Sequence, residues 1–114
     1  MPDQGGIVLI PIPFTDLSSQ KRRPDIVISN NAYNRKTMDI VVVTMTSNLT
    51  MVDYSFTITS SDLERGKLNR PSMVRVDKIY TLSQSIVVKT LGRVNSNVLD
   101  RIRSLLQDLI AETS

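Results

Sequence analysis

The chain has 114 residues, of which 40% are apolar and 22% charged, and its net charge is only +3. This length and composition predict one folded domain over residues 1–114 and exclude a disordered chain. The sequence has no cysteine and no histidine, which excludes disulfides and removes the commonest metal ligands. Because it also lacks a long apolar run and a secretion leader, we expect a cytoplasmic protein. We also expect a protein that needs no metal and no other cofactor.

The first half of the chain predicts three strands separated by polar connections. These are Ile7–Ile12, Asp25–Ser29 and Asp39–Thr46, with a loop at Phe14–Gln20 and a polar connection at Asn30–Met38. Pro11 and Pro13 cannot donate to a ladder, so the first strand must end at an edge or a bulge. The third strand carries an unbroken apolar run, which predicts the centre of a sheet.

The second half predicts three more strands and one long helix. The strands are Tyr54–Thr59, which should be half exposed, Ser72–Tyr80, and Ile86–Val94 with a break or bulge at Gly92. One helical turn is expected within Ser61–Leu68, started by Ser61 with Glu64 and ended by Gly66. The connections are too short for crossovers, so the pattern predicts a mainly β, mostly antiparallel small barrel followed by a C-terminal helix.

That helix is predicted by a one-sided apolar stripe from a cap at Asn95 or Ser96 to about Ile110. The stripe contains Val98, Leu99, Ile102, Leu105, Leu106, Leu109 and Ile110. It is wider than one sheet face obviously needs. Core packing and a partial subunit contact both remain open.

Positive charge is concentrated around the second strand. Lys21, Arg22, Arg23, Arg35 and Lys36 stand against only Asp25 and give this stretch a charge of +4, more than that of the whole chain. Pro24 forces Arg23 into an extended conformation on the loop side of the strand. Such a patch favours a polyanion, with nucleic acid ahead of a membrane surface, and a merely solvated loop is the alternative.

Five side chains could together act on RNA, which carries its own nucleophile in the 2′-hydroxyl group. They are Arg23, Thr46, Ser47, Arg75 and Asp77. The forked guanidinium groups of Arg23 and Arg75 suit phosphate oxygens. On a strand Arg75 and Asp77 share one face, whereas Val74 and Val76 point inward. Asp77 could accept a proton, but the neighbouring arginine should lower its pKa, so it could instead orient Arg75.

Three motifs, RRPDIVISN, TMTSN and VRVDKIYT, occur in an order and spacing that resembles the MazF/PemK family of toxin endoribonucleases, the mRNA interferases of type II toxin–antitoxin systems. The resemblance spans nearly the whole chain. It implies an SH3-like, PemK/CcdB-like barrel and assigns catalysis to Arg23 and Thr46, with Arg75 and Asp77 contributing as in the PemK branch. The RNA-binding residues expected around them are Lys21, Arg22, Ser47, Asn48 and Lys78.

The same resemblance implies partners and products. The unit would be a homodimer with single-stranded mRNA across its interface, and a cognate antitoxin would lay an extended acidic segment into the RNA groove. Cleavage would be sequence-specific and metal-independent, and would leave a 2′,3′-cyclic phosphate and a 5′-hydroxyl group.

The chain departs from the family pattern at two places. Gly6 stands where the family usually has an acidic residue, and the loop before the arginine–proline pair offers Ser18, Ser19 and Gln20 where histidine or glutamate is frequent. On this pattern we expect a local carboxylate contact and one proposed acid/base to be missing from the site.

Two non-catalytic functions compete with the ribonuclease. One is a gyrase-binding toxin of the same fold, although the chain ends in DLIAETS and has no tryptophan. The other is an RNA-binding barrel, for which only 4% of the residues are aromatic. Its candidate stacking residues are Tyr33, Tyr54, Phe56, which could equally belong to the core, and Tyr80.

Overall fold

The computed structural model describes residues 1–13, 18 and 20–112. The elements in this part are β1 (Gly6–Pro11), β2 (Arg22–Val27), α1 (Asn31–Lys36), β3 (Asp39–Thr46), β4 (Ser55–Ile58), β5 (Leu63–Arg65), β6 (Ser72–Ser83), β7 (Lys89–Val94) and α2 (Ser96–Ile110). Two 3-10 turns lie at Ser60–Asp62 and Gln84–Ile86. Most of the predicted Phe14–Gln20 loop lies outside the described residues. None of the helices described is long and apolar enough to cross a membrane.

All seven described strands join one sheet in the order β4-β6-β3-β2-β1-β7-β5, and every pair is antiparallel. Six spacings would place the edge strands β4 and β5 roughly 29 Å apart in a flat sheet. The chain from Ile58 to Leu63 spans at most about 18 Å. The sheet is therefore curled into a half-barrel, which confirms the predicted fold class.

The curled sheet has an apolar cluster on each face because side chains alternate along its strands. On one face α2 covers residues that include Ile26, Val43 and Val74. The opposite face carries a smaller cluster of Val8, Ile10, Val27, Ile40, Val42 and Leu82. The polar residues described below continue this second face toward one end of the strands.

The predicted C-terminal helix is confirmed. The side chain of Asn95 caps it by accepting a hydrogen bond from the amide of Val98 at 3.0 Å. The first two turns pack into the core through Val98, Leu99 and Ile102, whereas Ile110 is 74% exposed. Core packing thus accounts for the beginning of the stripe but not for its end.

Two segments between the predicted strands contain elements that were not predicted. The polar connection Asn30–Met38 contains α1, which Asn30 caps by accepting from the amide of Tyr33 at 2.8 Å. The helical turn predicted within Ser61–Leu68 instead begins at Ser60 and ends at Asp62, and Thr59 and Asp62 form its capping box. The strand β5 follows this turn. Six strands were therefore predicted where seven are described.

The strand boundaries also differ from those predicted. β2 starts at Arg22 instead of Asp25, β6 extends to Ser83, and β7 starts only at Lys89. In β4 only Thr57 is exposed, so this strand is not half exposed. The bulge predicted beside Gly92 is confirmed, since the ladder to β1 shifts register there. A Cβ at Gly92 would lie 2.6 Å from the carbonyl oxygen of Arg65, so only glycine fits.

Candidate active site

The predicted site residues meet because β2, β3 and β6 are neighbours in the sheet. In the ladders Thr44 lies opposite both Asp25 and Arg75, and Thr46 lies opposite Met73. Of these, Thr44, Thr46, Met73 and Arg75 border an open cleft of about 370 Å³. The cleft is lined by Arg23, Thr44, Thr46, Asn48, Thr50, Val52, Met73, Arg75 and Lys78.

Arg75, which lines this cleft, forms a bidentate ion pair with Asp77, which is not among the described residues lining it. Nε and Nη2 of Arg75 donate to the two carboxylate oxygens of Asp77, each at 2.8 Å. The hydrogen bond from Arg75 lowers the pKa of Asp77, and the same bond raises the pKa of Arg75. Val74 and Val76 are buried, so the predicted alternation along this strand is confirmed.

Arg23 and Asp25 form the same kind of pair on β2, but in a buried setting. Nε of Arg23 donates to Oδ1 of Asp25 at 2.8 Å, and Nη2 donates to Oδ2 at 3.1 Å. The Asp25 side chain is 0% exposed and that of Arg23 is 23% exposed. The guanidinium group also lies 5.5 Å from the centre of the Tyr80 ring. The sequence predicted Arg23 on the loop side of the strand, whereas the structure places it within β2.

Burial raises the pKa of Asp25 from 3.8 to about 6. Its neighbours explain the direction, because β1 places Val8 opposite Asp25 and Ile10 opposite Arg23. Removing the carboxylate from water outweighs the stabilisation by Arg23 and by the backbone of Met45. The prediction from the sequence included Asp25 only as a charge. The signal it missed is the arginine–x–aspartate spacing that β2 shares with β6.

The two threonines of β3 differ in their hydrogen bonds. Oγ1 of Thr46 accepts from the amide of Asn48 at 3.1 Å, and the Asn48 side chain in turn accepts from the amide of Thr50 at 3.1 Å. These bonds fix the chain where it leaves the strand. Oγ1 of Thr44 is buried and has no hydrogen-bond partner within the described part of the protein. Thr44 was also missed, although its two-residue spacing from Thr46 places both on one face.

A second cleft of about 400 Å³ adjoins the first and shares Arg23 and Thr46 with it. The other residues along it are Arg22, Pro24, Met45, Ser47, Leu68, Asn69, Arg70 and Ser72. The predicted RNA-binding residues are therefore divided between the clefts, with Asn48 and Lys78 in the first and Arg22 and Ser47 in the second. Lys21 is exposed and is not among the described residues that line either one.

The single basic patch predicted from Lys21 to Lys36 does not exist in three dimensions. Arg35 and Lys36 belong to α1, which follows the far end of β2, where the amide of Ile28 donates to the carbonyl of Val41. Sequence proximity misled the prediction because β2 carries the chain away from Arg22 and Arg23. The site thus keeps its own cations without the pair on α1.

Gly6 is likewise remote from Arg23. It begins β1, whereas Arg23 lies opposite Ile10, four residues or roughly 13 Å further along the strand. A carboxylate at position 6 would therefore not reach Arg23. The carboxylate in contact with Arg23 is that of Asp25.

The aromatic and acidic residues restrict what the clefts could bind. Phe56 is 2% exposed and belongs to the core, so it offers no stacking surface, and Tyr80 lies beside Arg23. Among the described residues, no three carboxylates lie close enough together to hold a metal ion.

The fold and site define a small antiparallel half-barrel whose open cleft combines two arginines with strand-borne hydroxyl groups. A family model described as "PemK-like, MazF-like toxin of type II toxin-antitoxin system" matches residues 3–110. The chain belongs to this family of toxins.

Solved structures support the fold throughout the chain. A mycobacterial endoribonuclease in complex with its cognate antitoxin superposes with a TM-score of 0.77 at 24% identity, covering 99% of this chain and 100% of that one. MazE–MazF from Deinococcus radiodurans gives 0.76 at 23%, covering 98% and 97%. MazF alone from D. radiodurans gives 0.74 at 26%, covering 96% of each. No curated protein sequence matches the chain.

Proposed function

We propose that this toxin is an endoribonuclease that cuts single-stranded mRNA in the cleft between β2, β3 and β6. The observation that carries the proposal is the convergence of Arg23, Thr46 and Arg75 on one open cleft. Family membership supports it, as do similar structures named as endoribonucleases.

In the proposed reaction the 2′-hydroxyl oxygen of RNA attacks the adjacent phosphorus atom, and the bond to the 5′-oxygen breaks. The products are a 2′,3′-cyclic phosphate and a 5′-hydroxyl group. Arg23 and Arg75 stabilise the charge that develops on the phosphate oxygens, and Thr46 positions the scissile phosphate. Such preorganised donors typically contribute about 10²–10³-fold each to the rate.

The 2′-hydroxyl proton must leave and the 5′-oxygen must gain one. Asp77 either accepts this proton or orients Arg75. Its lowered pKa makes it a weak base, so the orienting role is the better supported one. In that case solvent water takes up the 2′-hydroxyl proton and supplies the proton that the 5′-oxygen gains, so the reaction has no net change in protons.

Cleavage is proposed to need no metal. The sequence has no histidine or cysteine, and the described carboxylates form no cluster of three. The two guanidinium groups would supply the positive charge that a metal ion provides in other nucleases.

The proposed partners follow from the cleft and from the similar structures. Lys21, Arg22, Ser47, Asn48 and Lys78 would bind RNA on either side of the scissile phosphate. A homodimer in the cytoplasm would carry the RNA across its interface. An antitoxin with an extended acidic segment would occupy the same cationic groove, in keeping with the antitoxin complexes of the mycobacterial and D. radiodurans proteins.

The test is incubation of the purified protein with several long unstructured RNAs in EDTA, followed by mapping of cut sites and end groups. We expect discrete cuts with 5′-hydroxyl ends, lost in Arg23→Ala and retained in Arg35→Ala. The second variant removes an exposed arginine at the far end of β2 and is the matched control. A folded protein that cuts none of the RNAs would instead favour a gyrase-binding or RNA-binding module.

A further inference from the structure

The buried carboxylate of Asp25 is not used by the reaction proposed above. It lies directly beside one of the two proposed phosphate-binding arginines, yet it is fully buried and cannot itself touch RNA. Both of its oxygens accept from Arg23, at 2.8 and 3.1 Å. A bidentate contact restricts the guanidinium group in direction as well as in distance.

We propose that Asp25 is a positioning residue whose ionised carboxylate fixes the Arg23 guanidinium at the cleft, so that cleavage falls when this carboxylate takes up a proton. The inference rests on the proposed ribonuclease function. Three observations support it: the bidentate geometry of the pair, the complete burial of Asp25, and the position of Arg23 in the lining of both clefts.

Protonation would weaken the contact for a simple reason. An ionised carboxylate accepts hydrogen bonds on both oxygens, whereas a protonated one carries a donor on one of them. Nη2 or Nε of Arg23 would then face a hydrogen atom, and the two-point contact would become a one-point contact. Asp25 would then restrict the direction of the guanidinium group less strongly.

The setting of Asp25 brings this protonation into a measurable range, since burial raises its pKa to about 6. The described groups that act on Asp25 are Arg23 and the Met45 backbone, and Thr44 lies opposite it on β3. From β6, Arg75 and Lys78 line the first cleft together with Arg23, and the Tyr80 ring lies beside Arg23. From β1 Asp25 faces only Val8 and Ile10.

The Arg75–Asp77 pair offers an internal comparison. It has the same two-point geometry, but its carboxylate is partly exposed and has a lowered pKa. Asp77 therefore stays ionised at pH 5, where Asp25 has largely gained a proton. Only the β2 pair should respond to mild acid.

The test combines kinetics with a signal that does not depend on cleavage. Single-turnover cleavage in EDTA is measured from pH 5 to 8.5 for the wild type, Asp25→Asn, Asp77→Asn and Asp100→Asn. The last variant breaks an exposed arginine–aspartate pair on α2, outside the site. In parallel, the Nε–H resonance of Arg23 is followed by NMR and assigned from its loss in Arg23→Lys.

We expect the wild-type rate to fall about tenfold per pH unit below about pH 6. Asp25→Asn should lower the maximal single-turnover rate at pH 7.5 by about 10- to 100-fold, with little change in the protein concentration that gives half of this rate, and should lose this acid limb. Asp77→Asn should be slower but keep the limb, and Asp100→Asn should match the wild type. The Arg23 resonance should titrate with a midpoint near pH 6 in the wild type.

An acid limb that persists in Asp25→Asn, or a static Arg23 resonance between pH 5 and 8, would overturn the proposal. If Asp25→Asn does not fold, the wild-type resonance alone decides. Failure of the wild type to cut any RNA would contradict the proposed ribonuclease, whereas the resonance would still report whether Asp25 fixes Arg23.

Discussion

The two arginine–aspartate pairs on β2 and β6 have the same spacing and nearly the same hydrogen bonds, yet the pKa values of their carboxylates shift in opposite directions. Asp25 is fully buried, and its pKa rises to about 6. Asp77 is 31% exposed, and its pKa falls because Arg75 donates to it. Solvent access therefore decides the sign, since the cost of desolvation exceeds the stabilisation by the arginine only in the buried pair.

This difference assigns different physical roles to two similar pairs on either side of β3. The exposed pair contributes on the order of 0–1 kcal/mol to stability, and its arginine can adapt to RNA at little cost. In the buried pair, loss of Arg23 would leave the Asp25 carboxylate in an apolar setting without its partner. We expect Arg23 to be held rigidly and Arg75 to be the more mobile of the two.

Arginine removal should give the largest effects and should separate the two pairs. Arg23→Ala and Arg75→Ala should each lower cleavage by about 10²-fold or more, because each removes a group that stabilises developing charge. Only Arg23→Ala should also lower the free energy of unfolding, by roughly 3 kcal/mol, because it leaves Asp25 buried without its partner. Urea denaturation at pH 7.5 measures the free energy of unfolding. Equal losses of this free energy in Arg23→Ala and Arg75→Ala would contradict the difference between the two pairs.

The pH dependence of stability should sharpen the comparison further. The folded-state pKa of Asp25 lies above its ordinary value of 3.8, so the folded state binds a proton more tightly than the unfolded one between about pH 6 and 4. Acidification from pH 7 to pH 5 should therefore stabilise the wild type relative to Asp25→Asn by about 1 kcal/mol.

Asp77 supplies the control for that experiment, because its pKa is lowered. Its contribution to stability is present at neutral pH and is lost only as the pH falls below about 4. Between pH 7 and 5 the difference in the free energy of unfolding between the wild type and Asp77→Asn should stay constant.

A wild type that loses stability relative to Asp25→Asn between pH 7 and 5 would show that burial does not control the Asp25 carboxyl group.

Salt dependence extends the comparison to the two ends of β2. Each phosphate neutralised on single-stranded RNA contributes about −0.7 to the slope of log affinity against log salt. Arg22→Ala and Arg70→Ala, in the second cleft, should each make the slope shallower by about this amount. Arg35→Ala, on α1, should leave the slope unchanged. A flat response in the wild type would exclude phosphate contacts in these clefts.

The smallest effect is expected at Thr44, which lies between the two pairs. Its hydroxyl group is buried without a hydrogen-bond partner among the described residues, so Thr44→Val should change the free energy of unfolding by less than about 1 kcal/mol. Thermal denaturation would measure the change. A larger loss would show that Thr44 has a partner in the native protein.

The sequence predicted those features that depend on local periodicity. Alternation placed Val74 and Val76 inward and Arg75 with Asp77 outward, and the apolar period with Asn95 as its cap located α2. The family motifs were sufficient to predict the curled antiparallel sheet and the proximity of Arg23, Thr46 and Arg75, which line one cleft. In each case the responsible residues are close in sequence or are fixed by neighbouring strands.

The missed features depend on contacts between distant segments. The burial of Asp25 requires Val8 and Ile10, which the β1–β2 ladder brings to it. The basic stretch appeared as one patch because sequence distance does not record that β2 separates Arg22 from Arg35. α1 was missed because one short turn capped by Asn30 has no apolar period.

RNA binding in the cleft between the two pairs can be observed by methyl NMR. The chain has five methionines, of which Met73 lines the first cleft, Met45 lines the second, and Met38 is 81% exposed beside α1. Methyl-labelled protein would be titrated with an oligonucleotide that carries the mapped cut site and a 2′-deoxy group at the scissile position. Binding in this cleft predicts a shift at Met73, a smaller one at Met45, whose side chain lies in the core, and none at Met38. Shifts confined to Met38 would contradict it.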